Sequence, residues 1–228
     1  MKKLFALVMV LVWVIAGANL TAAETISLRG GFAAGNAGLE QSNLRLATGN
    51  NGFYISATAQ AETLPIHVTG SYYRLNPDEI PVSAMAGYKL NAGGSAGHVL
   101  VGYGNSTLAG GLGWAMHAFD VEDASSGQAI TFTATGPAIG VFTSLPLAGQ
   151  LRLAGELHYA PAVVVDANSA GASFQASKGT IIGYEVRGSL QTLPKVMLEA
   201  GYRQSRLTGA EGYRMLGGGA FAGAGIMF

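Results

Sequence analysis

The sequence has no cysteine and few charged residues. The absence of cysteine excludes a lipoprotein anchor, and it fits an oxidising compartment in which the fold needs no disulfide. Charged residues make up only 11% of the chain, whereas an ordinary soluble domain carries roughly 25%. A water-facing surface with so little charge would be poorly solvated.

Long apolar runs are also absent after residue 23. No later segment reaches the roughly 18 consecutive apolar residues that a membrane-spanning helix needs. Acidic and basic residues balance at 13 each, which indicates neither nucleic acid nor an acidic polymer as a partner. Lipid contact is therefore expected to come from alternating strands, because closed barrels are the other structure that crosses a bilayer.

The first 23 residues have the layout of a secretory signal peptide. Met1-Lys2-Lys3 is basic, Leu4 to Ala16 is almost wholly apolar, and Gly17 to Ala23 holds mostly small residues. An uncleaved anchor is disfavoured because the apolar part is shorter than the roughly 20 residues of a spanning helix. We expect cleavage after Ala23, with Ala18 as the alternative, and a single barrel domain over 24–228.

The segment 217–228 predicts a β-strand of small apolar residues. Alternate positions form an unbroken apolar row, which consists of Phe228, Ile226, Ala224, Ala222 and Ala220. Such a strand invites aggregation in a soluble protein, whereas in a transmembrane barrel it closes the sheet and faces lipid. We expect Phe228 and Ile226 to be the signal that the barrel-assembly machinery reads.

Alternating patterns predict an all-β fold, a single antiparallel up-and-down transmembrane barrel of about ten strands with both ends periplasmic. The predicted strands are 25–34, 52–62, 66–74, 81–90, 97–107, 138–145, 150–160, 178–191, 195–206 and 217–228. Segments 43–48 and 108–119 also alternate and would raise the number to twelve. Merging weak hairpins would lower it to eight.

Short turns alternate with longer polar segments along the chain, as in outer-membrane barrels. The predicted periplasmic turns are Thr63-Leu64-Pro65, Asn91-Ala92-Gly93-Gly94, Ser144-Leu145-Pro146 and Thr192-Leu193-Pro194. The predicted external loops are 76–79, 122–128, 166–172 and 208–212. Proline in three of the turns is compatible with a strand end followed by a tight reversal.

Three consecutive predicted strands, 150–160, 178–191 and 195–206, carry every membrane-depth charge on one face and apolar residues on the other. This repetition predicts that the charged face lines a lumen. The predicted lumen charge network consists of Arg152, Glu156, Glu185, Arg187, Glu199 and Arg203. Equal numbers of acids and bases can pair across a narrow interior, which favours a plugged or very narrow lumen over a selective pore.

The residue patterns predict no catalysis, metal or cofactor. Each predicted lumen glutamate has an arginine on its own or the next strand, which would keep the carboxylate ionised and inert. The histidines, His67, His98, His117 and His158, have no second ligand at metal-binding spacing. The Gly-x-Ser-x-Gly elbow of α/β-hydrolases is also absent.

Two segments resemble a known family. The first segment resembles the G-E-x-x-Y-x-P strand end of the YfaZ-like outer-membrane proteins, and it reads Leu153-Ala154-Gly155-Glu156-Leu157-His158-Tyr159-Ala160-Pro161. Glu199-Ala200-Gly201-Tyr202-Arg203 is similar to the G-Y-R segment of that family. The resemblance covers 138–228 well and the earlier residues poorly. It implies a small Gram-negative outer-membrane barrel with no assigned activity, and it supplies no catalytic residues.

These features predict a monomeric integral protein of the bacterial outer membrane, in contact with lipid, with a structural or narrow-channel role. The alternative is an outer-membrane enzyme that acts on lipid or peptide at the outer leaflet. Its sign would be a cluster of histidine, serine or acidic residues at one rim. A third possibility is a soluble secreted barrel, in which the apolar faces would point inward.

Overall fold

The computed structural model describes residues 23–41, 44–61, 65–80, 89–105, 107–169, 172–210 and 212–228. These residues form ten β-strands that close into one antiparallel barrel. Within these ranges, no helix is long and apolar enough to cross a membrane. The predicted signal peptide lies outside the described residues, apart from Ala23 at the start of the first strand.

Each strand pairs with its neighbours along the chain, and the first strand also pairs with the last. The strands are β1 (Ala23–Gln41), β2 (Leu44–Ala61), β3 (Ile66–Ile80), β4 (Leu90–Gly104), β5 (Leu108–Asp123), β6 (Ala129–Ala148), β7 (Leu151–Ser169), β8 (Ala172–Leu193), β9 (Val196–Gly209) and β10 (Arg214–Met227). The closed up-and-down topology leaves no unpaired sheet edge, which is the condition for a β-structure to cross a bilayer.

The prediction of an all-β barrel with ten strands is confirmed, but the middle strands are placed differently. Segment 108–119 is strand β5, and 97–107 is mostly the second half of β4. Most of the predicted strand 81–90 lies outside the described residues. The optional segment 43–48 is the beginning of β2 rather than a strand of its own.

The prediction of a turn at 91–94 is wrong, because these residues lie inside β4. The glycines there serve close packing rather than reversal. A Cβ atom on Gly93 would lie only 3.0 Å from the Leu75 carbonyl oxygen and from the Pro77 nitrogen, where β3 has a bulge against β4. Glycine is therefore favoured here by the close approach of two backbones.

The barrel has two different ends, which we call the terminal end, where Phe228 lies, and the loop end. Connections at the terminal end are short and fall at 62–65, 105–107, 149–150 and 194–195. Those at the loop end fall at 42–43, 81–89, 124–128, 170–171 and 210–213. The turn predicted at Ser144-Leu145-Pro146 lies inside β6, where a bulge beside Pro146 tolerates the missing N–H group.

The predicted external loop at 122–128 closes the β5–β6 hairpin at the loop end. The Asp123 carboxylate accepts hydrogen bonds from the backbone N–H and the hydroxyl of Ser125, at 2.9 and 2.6 Å, and from the Ser126 hydroxyl at 2.8 Å. These bonds, chiefly those from Ser125, lower the pKa of Asp123 to about 2. Gly127 completes the turn with a φ of 68°.

Side chains alternate between the lumen and the outer surface, and the outer surface is apolar. The predicted row of β10 faces outward, with Phe228 62% and Ile226 50% exposed, whereas Phe221 points inward and is buried. On β8 and β9, Val186 and Leu198 are exposed on the same outer surface. A broad exposed apolar band around a closed barrel is the surface that meets lipid.

A bulge in β7 reverses this alternation near Pro161. Before it, even-numbered residues such as His158 and Ala160 face inward; after it, the buried residues are Val163 and Val165. Proline is tolerated here because a bulge leaves residues without a ladder hydrogen bond. The bulge separates a polar inner face toward the terminal end from an apolar one toward the loop end.

Candidate functional site

The lumen of the loop-end half is filled by large apolar side chains, which we call the plug. All of them are at most 1% exposed, and they are Leu75, Phe119, Val163, Val165, Ile181, Leu207 and Met215. They come from six strands and belong to one buried cluster. A ten-stranded barrel is narrow enough for such side chains to fill its cross-section, so the plug closes this half.

Below the plug, charged side chains pair with one another along the inner wall of β8 and β9. The Glu185 carboxylate on β8 accepts hydrogen bonds from two arginines, Arg203 on β9 and Arg187 two residues along its own strand, the second at 2.8 Å. Glu185 and Arg203 are directly opposite in the β8–β9 register. A buried carboxylate of this kind is stabilised only by well-placed partners, and the two guanidinium groups supply them.

Arg203 is also surrounded by aromatic rings. Its guanidinium carbon lies 5.6, 5.3 and 5.2 Å from the ring centroids of Tyr54, Tyr73 and Phe221. A cation over aromatic faces at these distances gains cation–π stabilisation, which is larger when the cation is desolvated. Arg203 therefore contacts both these three aromatic rings and the Glu185 carboxylate.

A second ion pair joins β1 to β9 across the inner face of the intervening strand β10. The Arg29 Nε atom lies 3.5 Å from Glu199 Oε2, and the Tyr54 hydroxyl donates to Glu199 Oε1 at 2.7 Å. Arg29 also donates to the hydroxyls of Ser27 and Thr58, at 2.7 and 3.1 Å. We call the set of Arg29, Glu185, Arg187, Glu199 and Arg203 the ionic belt.

Arg29 is the belt residue that the sequence reasoning missed. The strand 25–34 was predicted, and within it Arg29 shares the inward face with Ser27 and Ala33. That alternation was the available signal, but a single charge in one strand has no neighbouring pattern to support it. Arg152, in contrast, was predicted as part of the network and lies exposed at the terminal end, without an ion pair to any described residue.

Glu156 has different partners from the other two lumen glutamates. Sequence reasoning assigned it an arginine, but its carboxylate is in contact with His98 Nε2 from β4 and lies 3.5 Å from His158 Nδ1 on its own strand. Thr69 donates to its second oxygen at 3.4 Å. The expectation that the histidines have no close acid is therefore wrong for these two, and we call His98, Glu156 and His158 the histidine cluster.

A polar cavity of about 500 Å³ occupies the terminal-end half of the lumen. Its floor is formed by Arg29, Glu185 and Arg187 of the ionic belt together with Glu156, and its walls include hydroxyl and amide side chains near the strand ends, such as Thr25 and Gln60. Arg152 also faces this cavity. The lumen thus has an open polar vestibule at one end and an apolar plug at the other.

An apolar outer band, a closed strand order and a polar, ion-paired lumen together define a β-barrel protein of the bacterial outer membrane. Comparison with known structures agrees with this class. The chain is similar to the outer membrane protease OmpT from Escherichia coli, with a TM-score of 0.53, 13% sequence identity and coverage of 91% of this chain and 97% of that one.

The chain is also similar to the Neisserial surface protein A, NspA, with a TM-score of 0.47, 12% identity and coverage of 89% of this chain and 97% of that one. No protein-family model matches the sequence, and no curated protein matches it. The likeness to OmpT concerns the fold alone.

Proposed function

We propose that this protein is a closed outer-membrane barrel with a structural role, monomeric and without a continuous aqueous path. The observation that carries the proposal is two barriers in series, the plug and the ionic belt beneath it. A pore selective for one sign of charge has an excess of that sign at its constriction. Here Glu185 and Glu199 pair with arginines, so the charges of the described belt residues largely neutralise one another.

The terminal end is assigned to the periplasm in this proposal. Short connections lie at that end, and the longest connection, 81–89, lies at the other; outer-membrane barrels have short periplasmic turns and longer external loops. The vestibule of about 500 Å³ then opens to the periplasm. The apolar outer band makes outer-membrane lipid the direct partner, and no cofactor is included in the proposal.

The proposal includes no catalysis. OmpT is a protease by name, but a likeness at 13% identity transfers no activity. Of the lumen carboxylates, Glu185 and Glu199 are engaged by arginine and tyrosine donors. Carboxylates whose oxygens are already occupied by such donors are poorly placed to act as a general acid or base. An enzyme at the outer leaflet remains the rival, and its test is hydrolysis of lipid or peptide by the purified protein.

The closed lumen predicts that the wild-type protein gives no stable conductance steps in planar bilayers. The double variant Phe119→Ala/Arg203→Ala removes one large side chain from each barrier, and we expect it to conduct. The matched control is Val186→Ala/Leu198→Ala, which shortens two lipid-facing side chains and should stay silent. Ohmic steps from the wild-type barrel would overturn the proposal of a closed lumen.

Further, we propose that Phe228 and Ile226 are read by the barrel-assembly machinery. Phe228 donates its backbone N–H to the Ile26 carbonyl at 2.8 Å and accepts from the Ile26 N–H at 3.3 Å, so it closes the seam between β1 and β10. The Phe228 ring faces outward, away from the lumen. Phe228→Asp is expected to remove most of the membrane-inserted protein, measured by the mobility difference between heated and unheated samples.

The control for this assembly prediction is Phe228→Tyr, which keeps an aromatic ring at the same outward position. We expect Phe228→Tyr to insert at the wild-type level because aromatic residues are favoured at the membrane interface. Equal insertion of the Asp and Tyr variants would contradict the assembly role.

Membership of the YfaZ-like family is likewise a proposal. It rests on Gly155, Glu156, Tyr159 and Pro161 of the first motif, together with Gly201-Tyr202-Arg203. The motif residues have clear structural positions: Glu156 belongs to the histidine cluster, Tyr159 is exposed on the outer band, and Pro161 lies at the β7 bulge. The first motif thus marks the border between the polar and apolar halves of the lumen, and Arg203 of the second motif belongs to the ionic belt.

A further inference from the structure

The histidine cluster places three metal-ligating groups on one point of the lumen. One ligand atom from each of His98, Glu156 and His158 lies within 4.8 Å of the other two. Their side chains are only 3%, 10% and 9% exposed. We propose that this cluster is a binding site for a divalent first-row transition metal ion, with zinc as the most suitable probe.

The ligand atoms contact one another without forming regular hydrogen bonds: Glu156 Oε1 is in contact with His98 Nε2 and lies 3.5 Å from His158 Nδ1. Within the described residues, His98 Nε2, Glu156 Oε1 and His158 Nδ1 have no hydrogen bond of acceptable geometry, although all three are buried. Buried polar atoms without a partner are costly and uncommon in native proteins. A cation coordinated by all three would satisfy them together.

There is space for an ion at this point. A small void of about 20 Å³ is lined by the histidine cluster, which is enough for one water-sized occupant. Glycine at residue 183, opposite His158, leaves room for the His158 ring in this position, because a Cβ atom there would lie 2.3 Å from the ring. Glu156 also lines the vestibule, so an ion has a route from the terminal end.

Neighbouring hydroxyl groups support the ligands. His98 Nδ1 lies 3.5 Å from the Ser71 hydroxyl, which leaves Nε2 directed at Glu156. Thr69 holds the other oxygen of the Glu156 carboxylate. Partners of this kind fix the orientation of metal ligands and are a regular part of metal sites.

Charge and ligand chemistry favour a borderline divalent ion. Glu156 is the one belt-level glutamate without an arginine partner among the described residues, since Arg187 and Arg203 engage Glu185. Two imidazoles and one carboxylate form the ligand set of three-ligand zinc sites, with the fourth position left for water. Mg²⁺ and Ca²⁺ are disfavoured because they prefer oxygen ligands throughout.

The test is a calorimetric titration of the purified, detergent-solubilised protein with Zn²⁺ alone. We expect one ion per chain for the wild type and no saturable binding for His98→Gln or Glu156→Gln. His67→Gln is the matched control, because His67 faces the vestibule but stacks on Phe142, with ring centroids 4.6 Å apart, outside the cluster. The mobility shift on heating verifies that each variant is folded.

A second measurement uses the wild type only and does not depend on the variants folding: replacement of Zn²⁺ by Co²⁺ should give the visible absorption bands of a four-coordinate site. A third, separate measurement uses Ser71→Ala, which should weaken Zn²⁺ binding by about tenfold or more. Lack of Zn²⁺ binding by the wild type, or equal loss of binding in His67→Gln and Glu156→Gln, would overturn the metal site.

Discussion

Glu185→Gln is expected to lower the free energy of unfolding by about 3–5 kcal/mol, because it removes one charge from a buried ion-pair network while preserving side-chain volume. Arg203 and Arg187 would then remain inside the lumen without their shared carboxylate. The measurement is urea unfolding of the folded barrel in detergent, followed by the loss of the compact form on unheated gels.

The control for this prediction is the same substitution at an exposed ion pair. Glu79 pairs with Lys89 at 3.2 Å, and the two side chains are 56% and 67% exposed. Glu79→Gln should change stability by less than about 1 kcal/mol, since exposed pairs contribute little. Similar losses in the two variants would show that Glu185 has no special role in the lumen.

The double variant Glu185→Gln/Arg203→Met tests why the loss of one belt charge lowers the free energy of unfolding. Most of the expected loss comes from an unpaired buried cation rather than from the missing attraction. Removal of that cation should therefore restore part of the stability. An additive further loss would indicate that the aromatic contacts of Arg203 with Tyr54, Tyr73 and Phe221 dominate its contribution.

Sequence patterns were sufficient for the architecture and for half of the lumen. Alternation is a local property, so the inward faces of β7, β8 and β9 could be read from residues two positions apart, as in Glu185 and Arg187. The same rule placed Phe228 and Ile226 on the outer surface. It failed in β4, where Asn91-Ala92-Gly93-Gly94 has turn composition but is held extended by the packing of Gly93 on β3.

The histidine cluster could not be predicted from spacing. His98 lies on β4 and Glu156 on β7, so β5 and β6 separate them around the wall. Their contact crosses the lumen and depends on the diameter and stagger of the closed barrel, which single-strand patterns do not contain. The same reason explains why Glu156 was assigned an arginine and Arg29 was not recognised as the partner of Glu199.

The lipid-facing surface leads to the second large prediction, at Gly188 on β8. Gly188 pairs with Leu153 and Ala200, both on the outer surface, and a Cβ atom there would meet no atom within 4 Å. Any side chain therefore fits, and its effect depends on the medium that it enters. Gly188 lies between the exposed Val186 and Leu190 of the apolar band, so Gly188→Arg is expected to cost up to about 2–4 kcal/mol, a penalty for arginine on the lipid face that is largest at the membrane midplane.

The matched variant Gly188→Leu places an apolar side chain of substantial size at the same position. It should fold with at least wild-type stability, since it adds lipid contact and removes a flexible glycine from a strand. Both variants are compared by urea unfolding in lipid vesicles. The two variants distinguish a membrane barrel from a soluble one, because in water Gly188→Arg would be tolerated and Gly188→Leu would promote aggregation. If Gly188→Arg were the more stable of the two variants, the lipid-facing assignment of the band that includes Val186 and Leu198 would be contradicted.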